Sequence, residues 1–169
     1  MLIDKTEIAI HREISRTLKN DKINPIIEDA ELLDLKPLLG EALYNDIVDN
    51  PTTAANIKLL DPLTYTYNGT QYKHQGLKKV LSIFVNSRYV LSGSYVDTGF
   101  GLVQKNNQDS TPVPEASKRN IHKQDKQTAT AYFNEVALYL NRNASDHPLW
   151  NSGCNTTSIS GIRISKISI

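Results

Sequence analysis

Four histidines, His11, His74, His122 and His147, and a single cysteine, Cys154, are the residues of this sequence with the widest chemical repertoire. They sit in separate segments, and no two histidines stand four apart, the helical spacing that would bring two imidazoles to one ion. Satisfied or solvated imidazoles are therefore expected, with no metal site. Cys154 lies in a polar stretch with no neighbouring base, which gives the thiol no catalytic setting. Glu28, Asp29, Glu31 and Asp34 crowd together as a catalytic carboxylate group would, but acidic residues in the first turns of a helix are already explained by its dipole and by solvation. Lys118, Arg119, Lys123 and Lys126 could touch phosphates. Glu115 and Asp125 interrupt that run and no aromatic residue interleaves with it for base stacking, so a solvated helix face is expected. The sequence has no G-x-x-x-x-G-K-[ST], G-x-G-x-x-G, G-x-S-x-G or H-E-x-x-H motif, and Gly99-Phe100-Gly101 is too short for a phosphate loop. These residues predict no enzyme, no cofactor, and no catalytic or metal-binding set.

Composition narrows the classes further. The 169 residues carry 19 Lys plus Arg and 18 Asp plus Glu, a net charge of +1, far from the excess of a protein devoted to holding nucleic acid. One cysteine cannot form an internal disulfide, which fits an intracellular origin. The opening MLIDKTEIAIHR lacks the apolar core of a signal peptide, and no apolar run approaches the roughly 20 residues of a membrane span. The near-zero net charge hides an asymmetry. Residues 1–50 hold 11 acidic and 6 basic residues, whereas 51–114 hold 3 and 6, and 115–169 hold 4 and 7. Opposite signs can attract within one fold or between copies of a ring, and the within-fold reading is favoured.

The elements that must position these residues are mainly helical. Asp4 and Glu7 form a capping pair for a first helix within 4–19, with Ile10, Ile14 and Leu18 at four-residue spacing. Asn24-Pro25 predicts a second helix start, with Ile27, Ala30 and Leu33 on its buried face. Pro37 forces a kink or restart before Leu38, Leu39, Ala42, Leu43 and Ile47, and Asn50-Pro51 ends that stripe. A short helix follows from Thr53 to Leu60. Tyr65, Tyr67 and Tyr72 flank Asn68-Gly69 in a β-hairpin over 64–73, where alternation puts Tyr65 and Tyr67 on one face and favours packing over an exposed binding tip. The stripe Leu77, Val80, Leu81, Phe84 and Leu91 predicts a core helix from Gly76 to Ser92. Residues 93–114 read as a long loop, far beyond the usual four to six. Pro114-Glu115 then opens a long helix whose second half packs through Ala129, Tyr132, Phe133, Val136, Ala137 and Leu140, leaving the first half free to project. Leu149-Trp150 are expected to fold back as an apolar clamp.

The end of the sequence differs in kind. Residues 151–158 form a polar linker, and Ile159, Ile162, Ile164, Ile167 and Ile169 then recur among Ser, Arg and Lys as in a β-strand. A strand without a partner in its own chain leaves unpaired backbone groups, so it is expected to add to a sheet on another molecule. The fold class is thus mainly α: a helical bundle with a small β-hairpin, a long loop and a C-terminal extended β-strand arm. It comprises one domain over 1–150 and an arm over 151–169.

Four ordered strings carry a resemblance: INPIIEDAELLDLKPLLGEALYNDI (Ile23 to Ile47), YNGTQYKHQGLKKVLSIFVNSRYV (Tyr67 to Val90), FGLVQKNNQDSTP (Phe100 to Pro112) and HPLW (His147 to Trp150). Within them, A-E-x-x-x-L-x-P-L-L-G (Ala30 to Gly40, with Tyr44 following) and H-x-G-L-K…R-Y (His74 to Tyr89) are the most specific. Over roughly residues 5–150 the sequence resembles small head-to-tail connector proteins, the neck adaptor or ring proteins of tailed phages, especially prophages and crAss-like phages of Bacteroidetes. The resemblance implies a virion protein made in the host cytoplasm and placed in the neck. There a homo-oligomeric ring, usually of twelve copies, joins the portal to other neck or tail proteins and lets double-stranded DNA pass without specific binding or any membrane contact. The isoleucine-rich end is less typical of that class. Intersubunit contacts are assigned to Phe100, Leu102 and Val103 of the loop and to Ile159, Ile162, Ile164, Ile167 and Ile169 of the arm. An accessory DNA-binding protein, or a small cytoplasmic enzyme without a recognisable motif, are the alternatives.

Overall fold

A computed structural model describes residues 1–92, 95–99, 101–104 and 112–150. The chain is mainly helical. Asp4 caps α1 (Lys5–His11) by accepting the Glu7 N–H at 2.9 Å, as its position before Glu7 predicts. The helix stops early because Arg12 is extended and the Lys5 ammonium donates to the carbonyls of Arg16 and Leu18, folding the following segment back. Ile8 is the buried anchor, while Ile10 is exposed, which corrects the expected Ile10–Ile14–Leu18 stripe.

The second helix, α2 (Asn20–Ala30), begins four residues before Asn24 and carries Pro25 inside it. Ile23 and Ile27, on either side of the proline and one turn apart, are both fully buried with Ala30. Their shared burial outweighs the hydrogen bond that Pro25 cannot donate. The break expected at Pro37 takes the form of a π-helical turn (Glu31–Leu35), closed by the Lys36 N–H on the Glu31 carbonyl, before α3 (Lys36–Leu39). Leu33, expected on the buried face, is exposed. Helix α4 (Glu41–Asp49) ends at Asn50 as expected, and Thr53 caps α5 (Ala54–Leu60).

Strands β1 (Leu63–Tyr67) and β2 (Thr70–His74) pair antiparallel with Tyr65 opposite Tyr72. Asn68 and Gly69, at φ 50° and 75°, form the tight turn that their types predict. The centre of the fold is α6 (Leu77–Ser92), in which every residue from Val80 to Val85 is buried. A helix covered on all sides sits mid-bundle, and α1, α2, α5, the π turn and α7 (Glu115–Arg142) surround it.

The segment read as one long loop contains a second hairpin, β3 (Tyr95–Thr98) with β4 (Gly101–Gln104), in register from Tyr95–Gln104 to Thr98–Gly101. Four-residue strands among polar residues show too little alternation to announce themselves. The glycines at 99 and 101 serve this turn, with Gly101 at φ 106°. The expected C-terminal strand, the 151–158 linker and Cys154 lie outside the described residues.

Gly76 joins β2 to α6 at φ 80°, and a Cβ there would press on the Leu60 carbonyl oxygen and lie 2.6 Å from the Asp61 carbonyl carbon. Gly69 has a similar φ of 75° with nothing within 4 Å of its missing Cβ. Left-handed strain alone costs about 1–2 kcal/mol. Gly76→Ala is therefore expected to lower the urea midpoint clearly more than Gly69→Ala; equal losses would contradict this packing.

Candidate interaction surfaces

The polar residues singled out in the sequence are distributed between an interior seam and the surface. Along the first half of α7, Lys118 and Asp125 are buried. This half does not project: it lies along α6 through polar side chains, which hydrophobic periodicity cannot report. His122 Nδ1 is 2.7 Å from Ser87 Oγ, and Asp125 accepts from Asn86 Nδ2 at 2.7 Å and from Arg12 at 3.2 Å. A second carboxylate, Asp34 of the π turn, accepts from Arg88 Nε at 2.5 Å and from Lys126 at 3.2 Å. The two Asp34 pairs join the acidic first third of the chain to its basic remainder, in the sense of the within-fold reading of the charge asymmetry, whereas Arg12–Asp125 runs the opposite way.

The acidic cluster consequently splits. Glu28 and Asp29 are exposed to solvent, but they stand in the last turn of α2, which begins at Asn20, so the helix dipole does not favour them as expected; Glu31 and Asp34 are buried. Glu31 accepts the Leu2 N–H at 2.6 Å and faces Tyr44, whose hydroxyl is held above its usual pKa by burial and by this carboxylate. The basic run splits likewise. Arg119 and Lys123 are exposed, whereas Lys118 is buried with Glu115 at 2.7 Å and Lys126 is engaged by Asp34. One solvated face is thus the wrong description of either cluster.

At the other end of α7, Tyr65 packs edge-on against Tyr139, with ring centroids 4.9 Å apart, and lies 5.8 Å from Tyr72. Arg142 donates to the Tyr65 hydroxyl at 2.9 Å and places its guanidinium 3.8 Å from the Tyr72 ring centre. The hairpin is therefore bolted to the bundle, and Tyr67 remains at the exposed rim. Trp150 folds back as expected, donating to Asn141 at 2.8 Å beside Phe133, whereas Leu149 stays exposed.

His74 and His147 both contact Tyr139, with centroids at 5.0 and 5.6 Å, and the Nε2 atom of each is buried without a partner. That corrects the expectation of satisfied or solvated histidines at these two positions. The His74 Nδ1 accepts the Gly76 N–H at 3.2 Å, so its proton resides on Nε2. His11 is near Glu7 at 3.7 Å on the surface of α1. Among the described residues, no three His, Cys, Asp or Glu side chains are grouped to hold a metal ion. Nor is any described helix long and apolar enough to cross a membrane.

Of the residues assigned to intersubunit contacts, Val103 is 40% exposed on β4. Leu102 takes its place in the β4 ladder opposite Asp97. Phe100, Ile159, Ile162, Ile164, Ile167 and Ile169 lie outside the described residues.

Burial pushes the His74 imidazole down to about 4 and lowers that of His147 as well. The unfolded chain therefore binds more protons as pH falls below the ordinary value of 6.5. The stabilisation is complete above that value and is lost down to the folded-state value, at about 3 kcal/mol for His74. Thermal melting should drop over this window, and His74→Phe should flatten the drop. A melting temperature constant from pH 7 to roughly 4 would contradict the buried, unpaired ring.

No curated protein and no solved structure matches this chain. One family model does, across residues 35–160, a span that begins at the end of the π turn and includes α6, α7 and both hairpins. The chain belongs to that family, DUF6712, a family of unknown function.

Proposed function

We propose that this protein is a structural, non-enzymatic component of a tailed-phage virion, a subunit of an adaptor ring in the neck. It would join the portal to further neck or tail proteins and continue the DNA channel, with the duplex sliding through unspecifically. The observation that carries this reading is hairpin β3–β4, a two-stranded ladder between α6 and α7 in the chain that pairs with itself and leaves Val103 40% exposed. A two-stranded hairpin with an exposed apolar side chain suits a subunit whose neighbours supply further cover. The sequence resemblance to neck adaptors over roughly residues 5–150 supports the same reading. A net charge of +1 is compatible with a conduit, because a strongly basic lumen would grip phosphates and hinder sliding. Twelve copies per ring is the number the resemblance implies.

Native mass measurements of the purified protein, alone and mixed with portal, test this reading. A ring, or a complex formed on the portal, is the expected product, and removal of residues 158–169 should impair ring formation, portal attachment or tail joining. A lone monomer that ignores portal would overturn it. Salt-dependent duplex binding that weakens when Arg119 and Lys123 are neutralised would point instead to an accessory DNA-binding protein.

A further inference from the structure

The π-helical turn inverts the usual partition of side chains. Glu31 and Asp34 are 5% and 8% exposed, while Leu32 and Leu33 between them are 54% and 56% exposed. Leu2 N–H on Glu31, with Arg88 and Lys126 on Asp34, holds the carboxylates inward. The leucines therefore cannot roll into the core without breaking these contacts. Roughly half of each leucine therefore stays in water in the isolated chain, apolar surface that a partner could cover. One helical turn earlier stand Glu28 and Asp29, exposed and in no ion pair with a described residue. The surface unit is thus a pair of leucines with a pair of carboxylates about 5.4 Å along the helix.

We propose that this unit seats residues 159–169 of a second copy of the chain. The proposal rests on the ring reading above and names the surface on which one subunit receives the next. Charge and spacing identify the occupant. Residues 159–169 contain five isoleucines, Arg163 and Lys166, and no Asp or Glu. In an extended chain, alternate residues share a face at a repeat of roughly 6.7 Å, which groups Ile162, Ile164 and Lys166. Branched apolar groups followed by a cation complement two leucines that lie beside two carboxylates. The polar residues 151–158 that follow the anchored Trp150 can span about 26 Å when extended, enough to cross to a neighbour. A contact between the basic end of one copy and the acidic first third of the next is heterologous, the kind of contact that generates a ring when its rotation closes.

Cysteine cross-linking tests the contact in the full chain. In a Cys154→Ser background, one chain carries Leu33→Cys and a second carries Ile164→Cys, and the two are mixed with an added oxidant. A disulfide-linked pair of unlike chains is expected, several-fold above a control in which the exposed Leu138 is the substituted residue. Glu28→Lys with Asp29→Lys should reduce the yield several-fold at low salt, and Lys166→Glu in the other chain should restore it. Yield no greater than the control overturns the proposal, as does linkage only between two Leu33→Cys chains or only within a doubly substituted chain. If rings of unchanged mass persist without the link, this seat is wrong and the ring stands. If the chain stays monomeric and ignores portal, both fall.

Discussion

Two buried carboxylates govern the arrangement of this bundle. Asp125 ties α7 to α6 through Asn86 and to the end of α1 through Arg12, while Asp34 ties the π turn to α6 through Arg88 and to α7 through Lys126. Helix α6 is covered on all sides, so its polar residues must find partners inside the protein. Apolar packing alone leaves the axial position of a long helix loosely defined. Here Ser87 and Asn86 lie opposite His122 and Asp125, which fixes how far α7 slides along α6. Removing one member of such a buried pair typically costs about 3–5 kcal/mol, so these contacts outweigh an exposed pair such as Lys78–Asp61.

The same constraint links the interior to the surface. Because Asp34 and Glu31 are drawn inward, Leu32 and Leu33 are turned out, and α7 is fixed against α6 after hairpin β3–β4 in the chain. The aromatic joint of Tyr65, Tyr72, Tyr139 and Arg142 steadies the far end, where Asn68-Gly69 presents Tyr67. In the proposed ring, rigidity in the bundle and incompleteness at its edges are one design. A subunit that bends would let the channel drift, and a subunit with every edge covered would have nothing to offer a neighbour.

Local chemistry was legible in the sequence where it acts within a few residues. Asp4 before Glu7, Thr53 before α5, Pro114 before α7 and Asn68-Gly69 between the tyrosines each mark an element that forms there. The apolar stripe of α6 likewise announced a central helix. Asn24-Pro25 misled because the proline is tolerated one turn inside a helix whose Ile23 and Ile27 are both buried. The interior seam could not be read at all. Arg12 and Asp125 are 113 residues apart and Arg88 and Asp34 are 54 apart, so no local pattern connects them. For the same reason the first half of α7 looked like a projecting solvated helix, and the inward turn of Glu31 and Asp34 was hidden behind an ordinary acidic N-terminal pattern.

Amide hydrogen exchange along α7 is the most direct measurement of the governing constraint. If buried carboxylates hold this helix against α6 over its full length, the amides around 118–129 should be protected to a degree approaching those around 133–140, and Asp125→Ala should release the first group selectively. Rapid exchange through 118–129 in the unaltered protein, beside slow exchange in the second half, would mean that the first half is a free projection and that the seam does not organise the fold.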